Sequence, residues 1–189
     1  MTLVPAYARM PVRFVRGRGS RLWDEDGVEY LDLQPGLAVN SVGHCHPAVV
    51  RAITEQAQEL IHVGNVFHTT PGELLAARLV ACSLGGAVHY ANSGTEANEA
   101  AIKMARKAKP GGTVISVHNA FHGRTYGSLS ATPQESKQAP FAPLVPGFVA
   151  VPPTAEALVY GVLQLQKKIR SARTSCVPRA RPATAPEPR

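Results

Sequence analysis

Tyr90-Ala91-Asn92-Ser93-Gly94-Thr95-Glu96-Ala97-Asn98-Glu99-Ala100-Ala101-Ile102-Lys103-Met104-Ala105-Arg106 is the stretch on which the fold turns. It reads as strand, turn and helix. Ala87-Val88-His89-Tyr90-Ala91 is short and apolar enough to predict a buried strand. Ser93 followed three residues later by Glu96 has the form of a capping box, in which each side chain satisfies a backbone N–H at the helix start. Downstream, Ala97, Ala100, Ala101, Met104, Ala105 and Ala108 recur with helical spacing and predict a small-residue face turned to a sheet. Glu99 and Lys103, four apart, predict an outward ion pair. Ser93-Gly94-Thr95 stands where unpaired N–H groups and the positive end of the helix dipole favour an anion, so a phosphate group is the candidate ligand.

The charge distribution around this helix argues against a nucleic-acid-binding body. The 189-residue chain has a formal charge of +7. Residues 1–163 hold 13 Lys and Arg against 12 Asp and Glu, whereas residues 164–189 hold 7 against 1. Basicity therefore belongs to the last segment, and the body lacks a basic stripe with interleaved aromatics. Cys45, Cys82 and Cys176 have no close pair spacing, which implies neither a disulfide framework nor a zinc knuckle. No apolar run has the length of a membrane span, and the expected setting is cytoplasmic.

Toward the amino end, residues 13–33 suggest β structure, with an Asp26-Gly27 turn between Arg21-Leu22-Trp23-Asp24-Glu25 and Val28-Glu29-Tyr30-Leu31-Asp32-Leu33. The glycine-rich stretch from Gln34 to His46 suits a loop. His44-Cys45-His46 could supply metal ligands, but without a further close ligand a structural role is expected, with His46 near the cap of a helix that Pro47 opens. That helix should run from Pro47 to Val63 with Val49, Ile53, Ala57 and Leu60 on its apolar stripe. Thr70-Pro71-Gly72-Glu73 predicts a second capped helix, with Cys82 as a buried thiol on its apolar face. Beyond the central helix, Thr113–His118 and Gly147–Val151 predict strands, and Thr154–Gln166 a further helix. This order predicts an α/β fold with a mainly parallel sheet whose ligands gather beyond the carboxyl ends of its strands. Residues 164–189, rich in Arg, Ala, Pro, Thr and Ser, are expected to be a disordered basic tail.

Asn92-Ser93-Gly94-Thr95-Glu96-Ala97, followed by Ala120-Phe121-His122-Gly123-Arg124-Thr125, resembles the class III pyridoxal-phosphate-dependent aminotransferases, most closely the acetylornithine aminotransferases. Two further blocks, 38–47 and 143–148, stand in the same family order. The resemblance implies the aspartate-aminotransferase-like fold (fold type I) in incomplete form. Residues 1–70 would belong to the small domain and its link, 71–163 to the first part of the large domain, and 164–189 to neither. It implies that Ser93, Gly94 and Thr95 hold the phosphate of pyridoxal 5'-phosphate, that Phe121 stacks on its ring, and that Arg124 grips a substrate carboxylate. A planar guanidinium suits that last task because it meets a carboxylate with two parallel hydrogen bonds.

The implied activity is transamination between acetylornithine, or a related ω-amino donor, and 2-oxoglutarate in arginine metabolism, by a cytoplasmic homodimer. The implied partners are a small-molecule amino acid and a 2-oxo acid, with no nucleic acid and no membrane. The family's Schiff-base lysine has no counterpart among Lys103, Lys107, Lys109, Lys137, Lys167 and Lys168, so no catalytic residue is assigned. His68 stands where the family usually has tyrosine. The expected protein is therefore the amino-terminal part of such an enzyme, inactive by itself and cut short by a shifted reading frame near Leu163. The alternative is a non-catalytic binding or dimerisation module of the same fold. A weaker third reading gives the basic segment a polyanion partner.

Overall fold

The computed structural model describes residues 3–158, so the expected helix beyond Leu158 and the expected basic tail lie outside the described residues. The chain divides into two compact units, Met1–Glu73 and Leu74–Arg189.

In the first unit, strands β1 (Phe14–Arg18), β2 (Arg21–Asp24) and β3 (Glu29–Leu31) form an antiparallel sheet in that order. Asp26-Gly27 makes the turn between β2 and β3, with Gly27 at φ +81, where glycine has no steric penalty. Asp24 organises this hairpin. Its carboxylate accepts from the N–H groups of Asp26 (3.1 Å) and Val28 (2.8 Å) and from the Tyr30 hydroxyl (2.8 Å). Burial tends to raise the Asp24 pKa, but these donors together hold it below the ordinary value, while the same contact raises that of Tyr30. Arg16 lies over the Trp23 ring at 3.8 Å, and Phe14 meets Tyr30 edge-on.

The loop after β3 returns to the sheet through His44. Its Nε2 lies 2.6 Å from Asp32 Oδ2, and its main chain forms a two-bond bridge with Gly19. His44 holds the Asp32 pKa below its ordinary value. Helix α1 (Pro47–Glu59) starts as expected: Pro47 occupies the first turn and His46 Nδ1 accepts from Ala48 N at 3.3 Å. It stops short of Val63 because Leu60 adopts extended backbone, with its carbonyl taken by the Gln56 side chain. The expected apolar stripe is exposed; Ile53 shows 64% of its surface.

Helix α2 (Thr70–Ala81) begins one residue before its expected first turn. Glu73 N donates to Thr69 O, and the Glu73 carboxylate meets His68 Nδ1 at 2.8 Å in place of closing a capping box on Thr70. Cys82 follows the helix end and is exposed, so the expectation of a buried thiol is overturned.

The second unit contains helix α3 (Gly94–Ala108) and a parallel pair, β4 (Val114–Val117) and β5 (Phe148–Val151), registered Val114 to Phe148 through Val117 to Val151. Between the strands lie two short helices, α4 (Tyr126–Ser130) and α5 (Glu135–Gln138), and a single 3-10 turn, Ala139–Phe141. Five alanines, with Glu96 in the first turn and Arg106 and Lys107 in the last, suit α3 to its propensity and dipole. Arg106 ties α3 to the start of β5: its Nη2 donates to Pro146 O at 2.5 Å and its guanidinium faces the Phe148 ring at 5.3 Å.

The expected strand at Ala87–Ala91 is not a strand. That stretch is irregular and largely exposed, and the described strand ladder of this unit is completed by β4 and β5. The core lies around α4, where Leu129, Ala131, Ser128, Ser130 and Thr132 are buried together with Ser116 and Val151. A core this rich in hydroxyls is stable only if each is hydrogen-bonded, since an unpaired buried polar group costs about 1–3 kcal/mol. Here they are paired: Ser128 Oγ donates to Thr95 O at 3.0 Å, Ser130 Oγ to Tyr126 O at 2.6 Å, and Thr132 Oγ1 to Ser128 O at 2.9 Å. Among the described residues no helix is long and apolar enough to cross a membrane.

Candidate functional site

Helix α3 opens on Ser93, whose extended backbone (φ −152, ψ 160) places its Oγ to accept from Glu96 N at 3.3 Å. The reciprocal half of the capping box is displaced by one residue, because Glu96 Oε2 accepts from Asn92 N at 2.7 Å. Ala97 N donates to Ser93 O. The N–H groups of Gly94 and Thr95 donate to no acceptor among the described residues. A Cβ built on Gly94 would meet nothing within 4 Å, so the face of the turn is open. Two free N–H donors at a helix start make a donor set that fits a phosphate.

The loop carrying Phe121 and Arg124 is fastened to this turn. Asn98 Nδ2 donates to His122 O at 2.7 Å, and His122 N donates to Thr132 Oγ1 at 2.9 Å. Thr95 Oγ1 and Thr125 Oγ1 are 2.9 Å apart. Glu99 Oε1 accepts from both Thr125 Oγ1 (2.5 Å) and Ser128 N (2.9 Å). The Thr125 hydroxyl is the leading cause that holds the Glu99 pKa below its ordinary value; burial opposes it, and the Ser128 and Gly127 N–H groups and the Lys103 charge add to it. Gly123, at φ +134, lies so close that a Cβ there would fall 2.6 Å from Thr95 Cβ. At Gly127 a Cβ would fall 3.0 Å from Glu99 Cδ. Both glycines let loop and helix touch.

Of the residues singled out from sequence, Ser93, Gly94 and Thr95 share the helix mouth. Phe121 is 55% exposed, and the Arg124 guanidinium lies 5.7 Å from its ring centroid. Thr95 and Arg124 are brought to one locality through Thr125. The expected outward Glu99–Lys103 pair is corrected: Glu99 turns to the loop and is partly buried, and the helix directs Asn98, Ala101, Ile102 and Ala105 toward an opening beside Val114, Ile115 and Ser116. Sequence reasoning missed Glu99, Thr125, Ser128 and Asn98. Thr95 and Glu99, four residues apart, share one helix face, but their partners Thr125 and Ser128 lie more than twenty residues on, beyond any local spacing.

The family model described as "Aminotransferase class-III" matches residues 3–175. The chain belongs to the class III aminotransferases. It is 49% identical over 156 residues to an acetylornithine aminotransferase of Caldanaerobacter subterraneus subsp. tengcongensis, covering 79% of this chain and 40% of that protein. It is 50% identical over 152 residues to an acetylornithine aminotransferase of Methanocaldococcus jannaschii, covering 77% of this chain and 38% of that one. Among solved structures, the ornithine aminotransferase of Toxoplasma gondii ME49 matches with a TM-score of 0.79 at 30% identity, over 86% of this chain and 40% of that chain. The taurine:2-oxoglutarate aminotransferase of Bifidobacterium kashiwanohense, solved in complex with PLP and glutamate, matches with a TM-score of 0.80 at 26% identity, over 88% and 43%. The chain thus spans about 40% of the length of the curated relative from Caldanaerobacter. The expected α/β, fold type I assignment agrees with these structural matches and with the parallel β4–β5 pair.

Proposed function

We propose that this chain forms part of a pyridoxal-phosphate-dependent aminotransferase that takes acetylornithine, or a related ω-amino donor, with 2-oxoglutarate as acceptor. The observation that carries this reading is the pair of unengaged N–H groups on Gly94 and Thr95 at the start of a helix whose Thr95 and Asn98 side chains bond the loop that bears Phe121 and Arg124. Relatives about half identical to this chain that bear the name acetylornithine aminotransferase support the choice of donor.

In this reading the N–H groups of Gly94 and Thr95 hold the cofactor phosphate, and Ser93 closes the turn. Phe121 offers an aromatic face to the ring, an arrangement worth about 0.5–1.5 kcal/mol beyond area burial. Arg124 orients a substrate carboxylate through a bidentate pair. When bound, pyridoxal phosphate supplies an electron sink for the carbon that loses its proton. A polypeptide of these 189 residues alone is inactive in this reading, because none of its six lysines matches the family's reactive one.

A chimera tests it: residues 1–158 of this chain joined to the remaining part of the Caldanaerobacter enzyme, supplied with acetylornithine and 2-oxoglutarate. Glutamate should form, and acetylornithine should exceed 4-aminobutyrate as donor. A folded, cofactor-loaded chimera that prefers 4-aminobutyrate would remove the donor assignment. The 189-residue chain, treated with pyridoxal phosphate and borohydride, should yield no single modified lysine.

The exposed apolar side chains Leu33, Leu37 and Val39 favour a second reading, that of a non-catalytic binding or dimerisation module, because large apolar groups clustered at a surface mark association. A monodisperse dimer of the 189-residue chain supports it, and a monodisperse monomer opposes it.

A further inference from the structure

Glu99 lies one helical turn inside α3, behind the candidate phosphate turn. Its side chain organises a short chain of hydrogen bonds whose proton order can be deduced. A carboxylate accepts and does not donate, and Thr125 has one hydroxyl proton. With Glu99 Oε1 at 2.5 Å, and the Glu99 pKa held low by this contact, the Thr125 proton is given to Glu99. Thr125 Oγ1 is then the acceptor in its 2.9 Å contact with Thr95 Oγ1, so the Thr95 hydroxyl spends its own proton on Thr125. Ser128 donates twice more to α3, its N–H to Glu99 and its hydroxyl to the Thr95 carbonyl. The close approach of Gly123 to Thr95 and of Gly127 to Glu99 leaves no space for side chains between the two segments.

We propose that Glu99 is a positioning residue: it straps the 123–128 segment to α3 and turns the Thr95 hydroxyl proton away from the helix mouth. Main-chain N–H groups then become the donors offered to a phosphate. This rests on the phosphate reading under Proposed function and deepens it. The strap, in turn, sets where Phe121 and Arg124 stand relative to the turn. Removing Glu99 leaves Gly94 N–H and Thr95 N–H in place but releases the loop, so a ligand that needs only the turn should be affected less than one that also needs the aromatic wall.

The test uses the whole 189-residue chain in three forms: unaltered, Glu99→Ala and Glu99→Gln. Pyridoxal phosphate and inorganic phosphate are titrated separately while the Gly94 and Thr95 amide signals are followed by NMR. Amide exchange at Ser128 is measured without ligand. In Glu99→Ala, affinity for pyridoxal phosphate should fall about tenfold, affinity for inorganic phosphate should change less than twofold, and Ser128 exchange should quicken at least tenfold. Glu99→Gln retains Oε1 as an acceptor and should recover most of the lost affinity.

Equal weakening of both ligands would reduce Glu99 to a stabilising residue and overturn the positioning role, as would no weakening of either. If the unaltered chain shows no response at Gly94 or Thr95 to either ligand, the phosphate reading fails. The strap is then judged on Ser128 alone: exchange unchanged in Glu99→Ala overturns it, and faster exchange upholds it.

Discussion

Helices α1 and α3 both begin with a side-chain cap, yet their tips differ in what they leave unbonded. At α1, Pro47 has no N–H to offer, and the next N–H, that of Ala48, is taken by the His46 imidazole. At α3, the corresponding positions are Gly94 and Thr95, whose N–H groups are both unengaged among the described residues, and the Ser93 hydroxyl caps one residue deeper, at Glu96. Both starts satisfy capping preferences. The second leaves the N–H groups of its first two positions without an acceptor among the described residues, whereas α1 leaves only that of Val49, deeper in the turn; of the two, α3 alone is held against a loop with an aromatic ring and a guanidinium. The difference teaches that a cap sequence marks a helix start, whereas its closed or open tip is decided by the two residues that follow.

The contrast is broken most severely by removing the close approach that α1 lacks. Gly123→Ala places a Cβ against Thr95 at a φ of +134 that alanine avoids. A loss of about 3 kcal/mol in unfolding free energy is expected, read by urea denaturation. Gly94→Pro converts the tip of α3 into that of α1. Proline is tolerated in the first turn, and the preceding Ser93 is already extended, so helix content should persist. The lost N–H should weaken pyridoxal phosphate binding about tenfold, or about 1.4 kcal/mol, while Gly94→Ala, which keeps the N–H and fills open space, should bind within about twofold of the unaltered chain, a shift of about 0.4 kcal/mol. Ser93→Ala removes the cap and should cost about 1 kcal/mol of stability.

The smallest effect is one of pH. The Glu99 pKa is lowered in the folded chain, so its stabilising contribution is fully present above the ordinary glutamate value, about 4.3. That contribution is lost as pH falls from there through the lowered folded value. The Ser128 amide shift should follow the same protonation, and a shift that moves near neutrality would assign the strap to another group.

Much of the frame was legible in the sequence because local chemistry agreed with the final structure. Asp26-Gly27 gave its turn, Pro47 and Ser93 their helix starts, and the β-branched Thr113–Val117 run its strand. The failures have physical causes. Ala87–Ala91 has a strand's composition, but a strand exists only with a hydrogen-bonded neighbour, which composition does not encode. Helix α4 escaped because the buried contacts in and just beyond it include Ser128 and Thr132, whose burial depends on hydrogen bonds and not on apolar spacing, and α5 because it is a single four-residue turn with no buried side chain. Glu99 was assigned to solvent by its charge and its spacing to Lys103. Its actual partners, Thr125 and Ser128, lie more than twenty residues away, where no local pattern could point to them.

The central claim is that the open tip of α3 receives the cofactor's phosphate. It is tested most directly by titrating the 189-residue chain with pyridoxal phosphate and, separately, with phosphate-free pyridoxal, while the Gly94, Thr95 and Ala48 amide signals are followed together. The expected result is a saturable shift at Gly94 and Thr95 with pyridoxal phosphate, no such shift with pyridoxal, and none at Ala48 with either. No saturable shift at Gly94 and Thr95, or the same shift with both compounds, would contradict it.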